Sequence, residues 1–220
     1  MNFNLPEKTT VDRLMPKTEF YEHVDMPTVV RRAFIDQVKA INWRNKLAAT
    51  TLNVAQGASV TEIEVFEIEL KGADLDEAIL RRLDETMHYH ILFVLTHAGR
   101  SQAWIGYKEA ASGGDKAFKV VRYYHTDWMP REAVSFALEG HDLDAVYAGL
   151  VRTVRGGAGE DAAGWQAPGA LAENVARDIR REKIEKQLAA LRKKINREKQ
   201  PRRAVALVHE LRKLKKQLEG

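Results

Sequence analysis

The clearest pattern in the chain is the alternation of apolar and polar residues along residues 61–71, TEIEVFEIELK. A period of two places Phe66 and Ile68 on one side of an extended strand, whereas Glu67 and Glu69 share the other side. The alternation therefore predicts a strand with one mostly apolar face.

A capped helix and a second strand are predicted directly after this strand. Residues 74–77, DLDE, combine an N-cap residue with an acid three positions on, which is a helix start signal. Residues 91–95, ILFVL, form a continuous apolar run that is typical of a central strand covered on both faces. Strand, helix and buried strand in this order predict a right-handed crossover between parallel neighbours. The helix is expected to bury Ile79, Leu80, Leu83 and Met87.

Upstream of this unit, the pattern predicts an arm followed by helices. Residues 1–26 are expected to form an extended arm with a short helix from about Lys17. A core-facing stripe with spacings of four, four and three then predicts a longer helix, which residues 42–47 end or continue. Residues 48–60 are expected to form a loop, with a short strand at residues 51–54. The stripe consists of Val30, Phe34, Val38 and Ile41.

Downstream, the pattern predicts more strands and a closing helix. Residues 97–100 form a tight antiparallel connection, residues 112–115 form the next turn, and residues 118–124 form a partly exposed edge strand. Asp142 is expected to cap a helix. The chain is therefore predicted to have an α/β (α+β) fold, with a mixed four- to five-stranded sheet flanked by helices.

The last fifty residues differ in composition from the rest. Residues 171–220 carry 16 Lys and Arg against 7 Asp and Glu, a net charge of +9, so the remaining residues have a net charge of −5. Leu and Ile recur along them with one break at Gln200-Pro201, which predicts an antiparallel helical hairpin of the coiled-coil type. The predicted domains are an α/β core at residues 1–155, a Gly/Ala-rich linker at 156–169 and a basic helical hairpin at 170–220.

Several classes of protein are disfavoured by composition. The absence of cysteine excludes disulfides, zinc sites with thiolate ligands and cysteine nucleophiles. The N-terminus lacks the apolar segment of a signal peptide, and no apolar run approaches the roughly 20 residues of a membrane span. A cytoplasmic protein without a membrane partner is the expectation.

One group of residues has the chemistry of a metal-dependent nuclease. Glu67, Glu69 and Lys71 share a strand face, and nucleases of the PD-D/E-x-K type use such carboxylates to hold magnesium and such a lysine to stabilise charge on the phosphate. This type of site also needs an upstream aspartate, and only Asp12 or Asp36 could approach in space. A surface Glu-Lys pair explains the same pattern without catalysis. No cofactor is expected, apart from Mg²⁺ if the nuclease alternative holds.

Other candidate sites have weaker signals. His88 and His90, two residues apart, could share a strand face and bind a metal, but structural histidines at a helix end and a sheet edge explain them better. The chain has no phosphate-binding glycine loop and no G-x-S-x-G or H-E-x-x-H motif, so nucleotide hydrolysis and acyl transfer lack support.

The hairpin is a candidate binding element because of its charge. A strongly basic helical element can neutralise phosphates without reading sequence. It could equally bind an acidic protein or form a dimer stem through self-association. The candidate nucleic-acid or partner-binding residues near its tip are Lys193, Lys194, Arg197, Arg202 and Arg203.

Nearly the whole chain resembles one uncharacterised bacterial family. The resemblance is carried in order by FYEHV, RRAFIDQVKAINWRNKLAATTLNV, VTEIEVFEIELK, HYHILFVL and WIGYKE, and by the closing stretch from residue 181 to residue 220. These segments resemble the domain of unknown function 4391, whose members look like accessory proteins encoded beside DNA methyltransferases and helicases in anti-phage clusters. The resemblance implies a defence or restriction-modification context and supplies no catalytic residues.

The leading hypothesis from the sequence is therefore an accessory or scaffolding subunit of a bacterial DNA-modification or defence assembly. Its partner would be a protein such as a helicase or a DNA methyltransferase, with DNA as a second partner. The alternative is a metal-dependent nuclease acting through Glu67, Glu69 and Lys71.

Overall fold

The computed structural model describes residues 3–111, 118–156, 165 and 170–219. The chain divides into two compact units, residues 1–163, called the body here, and residues 164–220. The turn predicted at residues 112–115 and nearly all of the linker predicted at residues 156–169 lie outside the described residues.

The body is built on one mixed sheet, which confirms the predicted fold class. Its strands lie in the order β1-β2-β3-β4-β5-β6, and a short β7 pairs with β5. Only the β3–β4 pair is parallel among the described strands. The sheet has seven strands, more than the four to five predicted. The strands are β1 (Thr10–Met15), β2 (Val38–Ala48), β3 (Glu62–Leu70), β4 (His90–His97), β5 (Arg100–Ala110), β6 (Phe118–His125) and β7 (Met129–Pro130).

Helices flank the sheet and form the second unit. Asp76 caps α4 by accepting a hydrogen bond from the Ala78 amide at 2.9 Å, and Asp142 caps α5 as predicted, accepting from the Ala145 amide at 2.8 Å. None of the described helices has both the length and the apolar character needed to cross a membrane. The helices are α1 (Lys17–His23), α2 (Thr28–Gln37), α3 (Ala49–Leu52), α4 (Glu77–Thr86), α5 (Leu143–Arg155), α6 (Leu171–Arg197) and α7 (Pro201–Glu219).

The largest difference from the sequence prediction is at residues 38–48, which were predicted to end or continue a helix and which form β2. The predicted stripe is correct in its burial, since Phe34, Val38 and Ile41 are all buried, but α2 ends at Gln37. Strand β2 is the antiparallel partner that β3 requires on that side. The branched residues Val38 and Ile41 suit a half-buried strand, so pairing with β3 overrides the helical spacing.

Two shorter segments also differ from their predictions. Residues 10–15, expected in an extended arm, form the edge strand β1. Residues 49–52 form α3 where a short strand was expected, because the Thr51 hydroxyl closes a helical turn by accepting from the Ala48 amide at 2.9 Å and donating to the Lys46 carbonyl at 2.9 Å. Asn53 ends this turn in the left-handed conformation with a φ of 57°.

The core covers both faces of β3 and β4. On one face, residues of α1, α2 and α4 pack against a buried cluster of the sheet. On the other face, the ring of Tyr147 of α5 contacts His90 edge to face, with ring centroids 4.4 Å apart. Burial on both faces explains why the predicted polar face of β3 is also inaccessible over most of its length. The sheet residues of the cluster are Val38, Ile41, Phe66, Ile68, Leu70, Ile91, Phe93 and Leu95.

A fully buried ion pair joins α4 to the sheet. The ammonium group of Lys108 lies 2.6 Å from a carboxylate oxygen of Asp84, and both side chains are 0% exposed. The Tyr123 hydroxyl donates to the other Asp84 oxygen at 2.5 Å, and Lys108 also donates to the Tyr89 carbonyl at 2.8 Å. Burial raises the pKa of Asp84 and lowers the pKa of Lys108, and their mutual attraction opposes both shifts.

The second unit contains the predicted helical pair, α6 and α7. Pro201 occupies the first position of α7, where its missing amide costs nothing. Ile184, Leu188 and Leu191 of α6 are buried, whereas the seam leucines of α7 are half-buried. The seam leucines of α7 are Leu207, Leu211, Leu214 and Leu218.

Candidate functional site

A cleft of about 660 Å³ opens at the carboxyl ends of β3 and β4. In open sheets, ligands bind where parallel strands end, because loops diverge there and leave a crevice. The cleft is lined by the ends of these two strands, by the first half of β2 and by the turn between β4 and β5. All three residues of the predicted nuclease group, Glu67, Glu69 and Lys71, line it.

Glu67 is the deepest charged residue of the cleft, with a side chain that is 6% exposed. Arg131, which follows β7, donates to one carboxylate oxygen at 2.5 Å, and the guanidinium Nε of Arg44 on β2 lies 3.4 Å from the other. Arg44 also pairs with Asp12 of β1. The two guanidinium groups more than compensate the negative charge of Glu67, and the carboxylate in turn fixes the position of both.

Glu69 and Lys71 have more exposed partners. The ammonium group of Lys39 lies 2.7 Å from Glu69, and both side chains reach solvent. Lys71 donates to the Ile35 carbonyl at 2.9 Å. Its positive charge, together with burial as the larger cause, lowers the pKa of the neighbouring Lys17. This end of the cleft therefore has a positive potential.

The cleft as a whole has more positive than negative charge. It is lined by five cationic side chains and two carboxylates, an excess of three positive charges among the lining residues. Asp12, at the far side of Arg44, reduces this excess to two. A concave surface with this excess charge attracts anions. The lining cations are Lys39, Arg44, Lys71, Arg100 and Arg131.

Among the residues that the structure describes, no third carboxylate of the kind that a nuclease site requires joins Glu67 and Glu69. The residue that faces Glu67 on the preceding strand is Asn42, and Ala40 faces Glu69. Of the two upstream candidates, Asp12 pairs with Arg44, and Asp36 lies 3.8 Å from Arg32 on α2. Within the described ranges, no three His, Asp or Glu residues lie close enough together to hold a metal ion.

The histidine pair is separated by the fold. His88 is exposed and precedes the strand, whereas His90 is buried as the first residue of β4. Burial lowers the pKa of His90 to about 3, so its ring is neutral at pH 7 and packs between Tyr147 and Phe118. The two residues do not share a strand face, and His90 is a core residue.

The five predicted binding residues of the hairpin lie together around the α6–α7 turn. All of them are exposed, and none forms an ion pair with another residue in the part of the chain that the structure describes. The turn is ordered by Glu198, which accepts from the Gln200 amide at 2.8 Å. Lys193, Lys194, Arg197, Arg202 and Arg203 thus present free cationic groups at one end of the pair.

Sequence reasoning missed four of the five cleft cations. Lys39 and Arg44 were assigned to a helix. Each lies at a register shift of the β2–β3 pair, Lys39 between Val38 and Ala40 and Arg44 between Trp43 and Asn45, and from there they reach Glu69 and Glu67. Arg131 is 64 residues from Glu67 in the chain, so no local pattern could have indicated the pair. Arg100 follows a tight turn, and its position there was the one available signal.

One comparison with known proteins gives a match. A family model described as Domain of unknown function (DUF4391) matches residues 3–218. No curated protein and no solved structure matches the chain. The match agrees with the resemblance seen in the sequence.

Proposed function

The chain belongs to the family Domain of unknown function (DUF4391), and we propose that it is a non-catalytic accessory protein that binds nucleic acid through phosphate groups. One observation carries this proposal, the excess of positive charge in the cleft at the ends of β3 and β4. Phosphate contacts supply most of the affinity of proteins that bind nucleic acid without reading its sequence.

The pairing of the cleft carboxylates supports binding rather than metal-dependent cleavage. Magnesium requires oxygen ligands that are free to converge on it. Glu67 is occupied by Arg44 and Arg131, and Glu69 is occupied by Lys39. A metal ion would have to displace these cations, whereas a phosphate would be attracted by them.

The proposed cellular role is that of a subunit in a DNA-modification or anti-phage assembly, with a helicase or a DNA methyltransferase as the protein partner. The family resemblance supports this role, and the basic hairpin supports contact with either DNA or an acidic protein surface. The cleft would then hold the nucleic acid on which the partner acts.

The proposal is tested by titrating the full chain into a fluorescent 20-base-pair duplex of arbitrary sequence at about 50 and 200 mM salt. Binding should weaken with salt, and Arg131→Ala should weaken it further and reduce the salt slope by about one. The matched control is Arg152→Ala, because Arg152 pairs with Glu139 at 3.0 Å outside the cleft and is 30% exposed, similar to Arg131 at 36%. Unchanged binding by the Arg131 variant would contradict the proposal.

A metal-dependent nuclease is the second candidate, because Glu67, Glu69 and Lys71 all line one cleft at the strand ends. Incubation of linear and supercoiled DNA with the protein and Mg²⁺ tests it. Cleavage that is lost in Glu69→Gln and retained in Glu139→Gln would establish this candidate and displace the first.

A further inference from the structure

Two of the five cleft cations pair with no carboxylate of the described residues. Lys71 donates to the Ile35 carbonyl, and Arg100 donates to the Trp128 carbonyl. Neither residue forms an ion pair within the part of the chain that the structure describes. A carbonyl acceptor leaves a full positive charge, so these two residues carry the uncompensated charge of the cleft.

The two residues lie at the same edge of the sheet. Lys71 follows the end of β3, and Arg100 follows Ala98 and Gly99, which both line the cleft with left-handed φ values of 48° and 76°. Ala98 and Gly99 form the tight turn between β4 and β5. Arg131 is tied to this turn, because its amide donates to the Gly99 carbonyl at 3.2 Å.

We infer that the cleft binds a phosphate monoester, the terminal phosphate of a nucleic-acid strand, with Lys71 and Arg100 as its counter-charges. This inference rests on the proposed function. It specifies that the cleft binds the phosphate at the end of a nucleic-acid strand rather than the phosphates within its backbone. A monoester carries about −1.5 to −2 charges at pH 7, which the two unpaired cations neutralise. An internal phosphodiester carries one negative charge and would leave one cation without a partner.

The size of the cleft supports the same conclusion. A volume of about 660 Å³ lies within the roughly 300–1,000 Å³ of sites that enclose single small ligands. A terminal nucleotide can enter such a concave site, whereas a continuous duplex presents its phosphates on a convex surface. The alternative source of the same chemistry is a free nucleotide, and the experiment separates the two.

The experiment measures the affinity of the full chain for one labelled strand prepared with a 5′-phosphate, with a 3′-phosphate and with neither, single-stranded and as a blunt duplex. AMP and inorganic phosphate serve as competitors. One terminal phosphate should tighten binding by about tenfold, as expected for one additional charge-assisted contact. Lys71→Ala and Arg100→Ala should remove this preference, and Lys119→Ala should keep it, because Lys119 is an exposed lysine on the edge strand β6 outside the cleft.

Each other outcome has a distinct meaning. If strands with and without a terminal phosphate bind with equal affinity, and Arg131→Ala abolishes the binding of both, the inference is overturned and the proposed function stays intact. Binding of AMP as tight as that of the phosphorylated strand also overturns it, in favour of a free nucleotide. Absence of binding to every strand at about 50 mM salt overturns both.

Discussion

Glu67 and Arg131 are 64 residues apart in the chain, and in the cleft a guanidinium nitrogen of Arg131 lies 2.5 Å from a carboxylate oxygen of Glu67. The contact joins the central strand β3 to the segment that leaves the sheet after β7. Arg44 approaches the same carboxylate from β2, so one buried acid positions two cations that come from opposite ends of the body's sequence. The acid that first indicated a nuclease is therefore the residue that organises the positive charge of the cleft.

Glu67→Gln should strengthen binding of duplex DNA by a few-fold in the absence of metal. The substitution removes one negative charge and releases Arg131 toward the ligand. It should also lower the free energy of unfolding by about 1–3 kcal/mol, because the arginines lose a charged hydrogen-bond acceptor. Fluorescence titration and urea unfolding measure the two effects. Glu139→Gln, which alters an exposed pair with Arg152, is the control, and a weaker affinity in Glu67→Gln would contradict the prediction.

Asp84→Asn should lower the free energy of unfolding by about 3–5 kcal/mol, because it leaves the charge of Lys108 buried without a partner. Tyr123→Phe should cost less, about 1.5–3 kcal/mol, since it removes one hydrogen bond to the buried Asp84 carboxylate. Urea unfolding followed by circular dichroism measures both. The double variant Asp84→Leu with Lys108→Met should recover much of the loss, and equal destabilisation in the single and double variants would refute this account.

Glu64→Gln should alter the pH dependence of stability. Burial, followed by the neighbouring Glu62, raises the pKa of Glu64 to about 8, above its unfolded value near 4.5. The stability that protonated Glu64 contributes is therefore complete below about pH 4.5 and is lost as the pH rises through about 8. The glutamine variant should gain stability relative to wild type between these limits, on the order of 2 kcal/mol after allowance for solvent screening.

The measurement for Glu64 is urea unfolding of both proteins at pH 5 and pH 8. The difference in the free energy of unfolding between the two proteins isolates Glu64, because His90, whose pKa is lowered to about 3, contributes equally to both proteins. If the free energy of unfolding changes equally in the two proteins between pH 5 and pH 8, Glu64 is not the titrating group. Trp43 donates to Glu64 at 2.5 Å, so its fluorescence offers a local probe of the same titration.

Leu211→Asp should loosen the helical pair while the body stays folded. Leu211 lies on the half-buried seam of α7, and a charge there has no partner, which should cost several kcal/mol, roughly 2–7. Lys213→Asp is the control, because Lys213 is exposed on the same helix. Hydrogen exchange resolved by residue measures the effect. A fragment of residues 1–155 that fails to fold would contradict the prediction of two independent units.

Reversal of the charge at the hairpin tip tests whether this surface contacts phosphates. Glutamate at Lys193, Lys194, Arg197, Arg202 and Arg203 should abolish a salt-sensitive component of DNA binding that ignores sequence. No detectable DNA binding at about 50 mM salt would instead favour a protein-docking or dimer stem, in which burial drives association with the partner. Combination with Arg131→Ala separates the contribution of the hairpin from that of the cleft.

The elements that local pattern predicted well are those with strong internal signals. The crossover from β3 through α4 to β4 follows from alternation, a cap and an apolar run, and the hairpin follows from a heptad-like seam. Strand β2 was not predictable in this way, because Val30, Phe34, Val38 and Ile41 fit a helical stripe across the boundary of two elements. The boundary is set by pairing with β3, which is a tertiary interaction.

The candidate site shows the same division between local and distant information. Glu67, Glu69 and Lys71 lie within five residues and were visible as a group. The cations that define the charge of the cleft come from β2, from β5 and from the segment after β7. Their convergence depends on sheet order and register, and neither is encoded in local spacing.

The strands of the sheet lie in space in the order in which they occur in the chain, β1 to β6, with β7 returning to β5. Each new strand can therefore be added to the edge that the previous one has just formed, and no strand has to be inserted between two others. Pairing between strands that are consecutive in the chain avoids the longest loop closures, and this lowers the entropic cost of forming the sheet. All residues that line the cleft precede α6 in the chain, so they leave the ribosome before the basic helices do.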